Sequence, residues 1–83
     1  MTDKLREESI RGLQAKQLLD NPVFVSSFVE CHDKIRAQRL ICPISDKDRA
    51  ISLVIYEKAL FHIEKQLKQY IDTGKMADIQ LQE

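Results

Sequence analysis

The segment after Pro43 most constrains the fold, because it runs to Gly74 without a glycine or proline and carries a regular apolar repeat. Its large side chains recur at alternating steps of three and four, which is the heptad-like spacing of a helix that packs along one side. We predict a helix over residues 45–73, with Ser45 as its N-cap and Gly74 as its C-cap glycine, followed by a tail over residues 75–83 that forms either a last helical turn or a loose peptide. The repeat consists of Leu53, Tyr56, Leu60, Ile63, Leu67 and Tyr70.

Two further helices are predicted before Pro43. Asn21 and Pro22 favour a helix start, because asparagine is a good N-cap and the missing N–H of proline has no partner at the first helical position. The second helix should cover residues 22–40, with Phe24, Phe28, Cys31 and Ile35 on one apolar face widened by Val25 and Val29. The first helix should cover residues 3–19 with a ragged apolar face, weakened by Gly12.

A β-strand over residues 51–56 is the alternative for the start of the third helix, since this stretch is rich in β-branched residues. The helical period continues through Ile71 without a turn, which favours the helix.

The connection of about five residues after the second helix makes the two long helices antiparallel neighbours. We therefore expect one small all-α domain over residues 1–83, an antiparallel helical hairpin of two long helices with an additional N-terminal helix. Two helices packed along one side leave much of each apolar face uncovered, so a homo-oligomer is expected.

Charge and cysteine content exclude several classes of protein. Thirteen basic residues balance thirteen acidic ones without clustering, which argues against a dedicated phosphate-binding surface. Two cysteines, Cys31 and Cys42, are too few for a disulfide framework and fit a reducing cytoplasm. The charged start of the chain does not read as a signal peptide, and the apolar stretch over residues 50–63 is too short for a membrane span, so a soluble protein is expected.

Catalytic and metal-binding constellations are not expected. Cys31, His32, Cys42 and His62 lack the paired spacing of zinc ligands, and Cys31 lies mid-helix, where nothing activates a thiol. Asp46 and Asp48 are explained as acidic residues of a helix start. The glycines are too scattered for a phosphate loop, so we predict no enzyme activity, no cofactor and no metal.

A DNA-binding regulator or DNA-packaging accessory is an alternative that the sequence does not favour. Lys34, Arg36 and Arg39 form a small basic patch, but cations are expected at a helix C-terminus, and Glu30 and Asp33 dilute the patch.

Protein–protein contact through apolar anchors is the favoured activity, because large buried side chains supply most of the binding energy at interfaces. The predicted interface residues are Phe24, Phe28, Tyr56, Leu60, Phe61, Ile63, Leu67 and Tyr70.

A family resemblance adds a biological context. The succession Gly12, Ala15, Leu18-Leu19, Pro22-Val23-Phe24, Asp48-Arg49, Leu60, Ile63-Glu64, Leu67 and Gly74-Lys75-Met76-Ala77 resembles small helical proteins of tailed bacteriophages. It covers roughly residues 11–81.

Such proteins tend to be encoded among virion morphogenesis genes, near the portal and coat genes. The resemblance implies a structural or assembly protein that binds itself and a larger virion component such as coat or portal. It also implies a location in the host cytoplasm or the virion. An adaptor or inhibitor of a host protein is a further alternative.

Overall fold

The computed structural model describes residues 2–83, which form three helices and no strand. Helix α1 covers Thr2–Leu19, α2 covers Pro22–Ile41 and α3 covers Lys47–Gln82. The prediction of an all-α fold is confirmed. The stretch over residues 51–56 is helical throughout, so the strand alternative is wrong.

The start of α2 is built as the sequence predicts. The Asn21 side-chain oxygen accepts hydrogen bonds from the backbone N–H groups of Val23 at 2.9 Å and Phe24 at 3.1 Å, and Pro22 opens the helix. The cap separates α2 from α1 after a break of only two residues. The direction in which α2 leaves the junction is therefore fixed by a local hydrogen-bonded turn.

The start of α3 differs by one residue from the prediction. Asp46, rather than Ser45, is the N-cap, and its carboxylate accepts a hydrogen bond from the Arg49 N–H at 3.2 Å. Both residue types cap well, and the backbone hydrogen bond from Asp46 N–H to the Pro43 carbonyl, at 3.0 Å, places Asp46 in the capping position.

The predicted end of α3 is wrong. Gly74 has no positive φ, and the helix continues through it to Gln82, so residues 75–82 are helical rather than a loose tail. The reason is packing: Gly74 is buried against Gly12, and the helix beyond it buries Ala77. The absent side chain of Gly74 allows two helices to approach closely, and it is not used to end one.

Helices α1 and α2 lie one after the other along α3, and both run antiparallel to it. Helix α1 packs on the C-terminal half, where Ser9 donates a hydrogen bond to Asp78. Helix α2 packs on the N-terminal half, where the Arg39 guanidinium pairs with Glu57. The strongest packing joins α1 to α3, whereas α2 and α3 touch less extensively. The hairpin of α2 and α3 was predicted, but the dominance of the α1–α3 contact was not.

The chain is long and thin, with principal extents of 59 × 24 × 14 Å. A single α-helix with its side chains is about 10–12 Å across, so the molecule is two helices wide and one helix thick. Within residues 2–83, the buried apolar side chains are few and mostly small, and α2 has none. They are Ala15, Leu53 and Ala77.

Candidate interaction surfaces

The inner face of α3 is a heptad series that contacts α1 and α2. It begins with Leu53, which is 2% exposed, and continues through half-buried Glu57, Leu60, Glu64 and Leu67. Farther along, the same seven-residue spacing reaches Ile71, Gly74 and Asp78. Positions that alternate steps of four and three stay on one side of a helix. Beside α1 the covered positions also include Tyr70 and buried Ala77, which belong to the heptad series adjacent to this one.

A second heptad series lies next to the inner face and contains no charged side chain. We call residues Ser52, Ile55, Tyr56, Ala59, Ile63 and Gln66 the outer stripe. Each stripe residue except Ile55 comes one residue before a position of the inner face. This offset rotates the stripe by roughly 100° around α3. All six residues are exposed, with Ile55, Tyr56 and Ile63 at 57%, 58% and 50%. The stripe is apolar at its centre and polar at both ends.

The predicted repeat of α3 therefore divides between two faces. Leu53, Leu60 and Leu67 point towards the partner helices, whereas Tyr56 and Ile63 belong to the outer stripe. A spacing of three and four residues fits both the inner face and the outer stripe, because the two heptad series differ by only one residue.

A shallow apolar cleft lies where α1 ends and α2 begins. Phe24 and Phe28 form its floor, with ring centroids 4.9 Å apart, and Val25 and Val29 line its α2 side. Its volume is ≈ 160 Å³, below the roughly 300–1,000 Å³ of ordinary small-molecule sites. Leu19, His32 and Glu64 complete the lining.

The half-buried face of α2 differs by one residue from the predicted face. Cys31 is exposed, and His32 takes the inward position between Phe28 and Ile35. The His32 ring lies 5.1 Å from the Phe61 ring and 6.5 Å from the Phe28 ring. The inward face of α2 therefore advances by steps of four, from Phe24 to Phe28 to His32, before the step of three to Ile35.

The eight predicted interface residues do not form one surface. Phe24, Phe28, Leu60 and Leu67 are half-buried between the helices of the chain itself, so they contribute mainly to the internal contact. Tyr70 is half-covered, with the Arg11 guanidinium 5.4 Å from its ring centroid. The side chains that remain most accessible are Tyr56, Phe61 and Ile63.

Phe61 lies on a different side of α3 from the outer stripe. Its exposed edge is flanked by Lys58, His62 and Lys65, and its inner edge meets His32. This surface is apolar at one side chain and cationic around it. It differs from the outer stripe, which carries no ionisable group between Ser52 and Gln66 other than the Tyr56 phenol.

The part of the chain that the structure describes carries ion pairs and two free thiols, of which Cys31 is exposed and Cys42 half-buried. Glu64 and Lys68, four residues apart on α3, form an ion pair at 3.3 Å. The Cys42 sulfur lies 3.7 Å from the carbonyl oxygens of Pro43 and Asp46. Within residues 2–83, no group of three or more histidine, cysteine or acidic side chains is arranged to hold a metal ion.

The Gly12–Gly74 contact was not predicted as a unit. Gly12 was expected to weaken α1 and Gly74 to end α3, but the two residues meet where the helices cross. A sequence signal was available, because Gly12 and Ala15 in α1 and Gly74 and Ala77 in α3 have the same three-residue spacing of small side chains. Two such pairs indicate helices that can approach closely.

Comparisons with known proteins add no identification: protein-family models, curated proteins and solved structures all give no match. Across residues 2–83, no helix is both long enough and apolar enough to traverse a bilayer.

Proposed function

We propose that this chain is a small non-enzymatic phage structural or assembly protein that acts by self-association and by binding a larger virion component. The phage context comes from the sequence resemblance described above. The self-association is argued from the accessible surface of the single chain.

The surface of the isolated chain is too large for a compact monomer of its mass. The accessible area is 6774 Å², whereas a folded monomer of 9.7 kDa is expected to expose about 5,100 Å². The excess of about 1,650 Å² falls in the range that one subunit loses in obligate homodimers, which bury roughly 1,000–2,500 Å² per subunit. This excess of accessible area is the main observation that supports self-association.

The composition of the exposed surface supports the same conclusion. Large apolar side chains with half or more of their area accessible occur on all three helices, as in Leu13 of α1, Val29 of α2 and Ile55 of α3. A slab one helix thick has no second layer to cover them. Association with another helical surface removes this area from water, which is the dominant favourable term in protein association.

The cleft beside Phe28 is lined mostly by apolar side chains, and Glu64 and His32 are its two polar lining residues. Such a cleft suits an inserted apolar side chain from a protein partner.

Sedimentation equilibrium of the purified chain over a hundredfold range of concentration tests self-association. We expect a mass of at least twice 9.7 kDa over most of that range. A mass of one chain, with a helical circular dichroism spectrum, would contradict the proposal.

Quantitative mass spectrometry of purified particles of the parent phage tests the structural role. A fixed ratio of this chain to coat protein supports incorporation in the virion. Absence from the particle, together with absence from assembly intermediates, contradicts the structural and assembly role.

A further inference from the structure

We propose that the outer stripe of α3 is the self-association surface and that it receives the outer stripe of a second copy. In this dimer the two α3 helices run antiparallel and cross at Ala59. The inference rests on the proposed self-association and specifies where and how it occurs.

The outer stripe is chemically suited to face a copy of itself. Ile55, Tyr56 and Ile63 present apolar area in the single chain, and no cation or anion interrupts the stripe. A two-fold axis places the same surface on both subunits, so any charge in it would meet a like charge nearby. A charge-free stripe avoids that cost.

The other accessible apolar surface is less suited to a second copy. Phe61 is surrounded by Lys58 and Lys65, and the neighbouring cleft contains Glu64. A two-fold axis through this surface would bring the lysines of both subunits together. Close like charges are unfavourable at an interface, so we assign the contact between copies to the outer stripe.

Ala59 marks the crossing point because five of the six stripe residues are arranged evenly around it; Tyr56 alone has no counterpart in the stripe, since its mirror position is His62. Ile55 and Ile63 lie four residues before and after it, and Ser52 and Gln66 lie seven residues before and after it. In an antiparallel pair that crosses at Ala59, Ile55 of one copy therefore faces Ile63 of the other. The small side chain at the centre allows the axes to approach towards the short end of the usual 8–10 Å range.

The antiparallel direction follows from helix electrostatics. Each α3 has a partial positive charge at its Asp46 end and a partial negative charge at its other end. Antiparallel pairing places unlike helix ends on the same side of the crossing, whereas parallel pairing places like ends together. The even arrangement around Ala59 permits the antiparallel pair without a change of register.

Disulfide trapping tests both the position and the direction of the crossing. In a Cys31→Ser, Cys42→Ser background, we would prepare Ala59→Cys, Ile55→Cys and Ile63→Cys chains and oxidise them gently. We expect the Ala59→Cys chain to link to itself, and the Ile55→Cys chain to link to the Ile63→Cys chain when the two are mixed.

The Ile55→Cys chain should link poorly to itself. In the antiparallel pair the two Cα atoms at position 55 are offset by eight residues, about 12 Å along the axis, which exceeds the roughly 7 Å limit for a disulfide. Efficient linking of Ile55→Cys to itself, with none to Ile63→Cys, would show parallel helices and overturn the proposal. Failure of Ala59→Cys to link in a chain that still dimerises would overturn the crossing point.

A charge substitution tests the stripe in the native cysteine background. Ile63→Glu should shift the dimer towards the monomer by at least a hundredfold in dissociation constant. The matched control is Ile79→Glu, because Ile79 is the same residue type on the same helix, is 55% exposed and lies outside the stripe. This control should keep the wild-type dissociation constant.

The results separate this inference from the proposed function. A wild-type chain that is monomeric at all concentrations contradicts both the proposed self-association and the outer-stripe interface. A dimer that resists Ile63→Glu keeps self-association but overturns the outer stripe. If Ile63→Glu alone loses its helical spectrum, the cross-linking pattern of the folded cysteine chains decides the assignment.

Discussion

The substitution Gly74→Ala measures how closely α1 and α3 approach each other. A Cβ atom built on Gly74 would lie 2.9 Å from the Gly12 Cα and 3.1 Å from the Glu8 carbonyl oxygen. Both neighbours are backbone atoms, so no flexible side chain can move aside. The helices must separate by several tenths of an ångström, and the contacts of Ala15 and Ala77 then loosen as well.

Two opposing effects determine the sign of the change. Alanine stabilises a helix interior by about 1 kcal/mol relative to glycine. Overpacking of a close contact costs about 1–3 kcal/mol, and we take the upper end because the clash is with backbone. The net loss is then about 2 kcal/mol, and at roughly 4–8 °C per kcal/mol for a chain of this size the midpoint should fall by about 8–16 °C.

Thermal unfolding followed by circular dichroism at 222 nm gives this midpoint. The wild type and variant must be compared at the same chain concentration, because self-association shifts the apparent midpoint. Ala37→Gly is the control: Ala37 is exposed in α2, so this change reports the helix propensity difference without a packing term. An unchanged or raised midpoint for Gly74→Ala would refute the close helix crossing.

The remaining predictions concern single interactions. Asn21→Ala removes the α2 cap and should cost about 1 kcal/mol, seen as a lower midpoint. Arg39→Gln should change stability by less than about 1 kcal/mol in urea titrations, because its pair with Glu57 is partly exposed. Leu53→Ala should cost about 2–5 kcal/mol by the same titration, since Leu53 is the most buried large side chain. A chain ending at Thr73 should lose α1 docking, seen as reduced helicity, because Gly74 and Ala77 form the contact.

Local sequence signals predicted the helix starts better than the helix ends. Asn21 and Pro22 determine the start of α2 through bonds to their own neighbours, so the pattern is complete in a few residues. Gly74 carries no such local information. Whether it ends the helix or admits another helix depends on Gly12, which lies far away in the chain.

The interaction surfaces of α3 likewise depend on contacts between distant parts of the chain, which the local sequence pattern does not contain. The apolar repeat of α3 predicted a packed helix, but it could not separate the inner face from the outer stripe. Leu60 and Ile63 are equally apolar, and only the position of α2 makes the first half-buried and leaves the second half-exposed. The charge pattern would have pointed to the wrong face, because Glu57 and Glu64 lie on the half-buried inner face whereas the exposed outer stripe contains no charged residue.

The end-to-end arrangement of α1 and α2 also determines how the chain loses structure. Helix α3 carries two separate contacts, one with α1 around Gly74 and one with α2 around Leu53, and α1 and α2 share few contacts with each other. The α2 half lacks fully buried side chains on α2 and can open while the α1 half stays closed. Amide hydrogens should therefore exchange in two groups, with those of α2 and the start of α3 exchanging first. Pairing of two copies along the outer stripe would slow exchange in α3 near Ala59 and would join the two groups more closely.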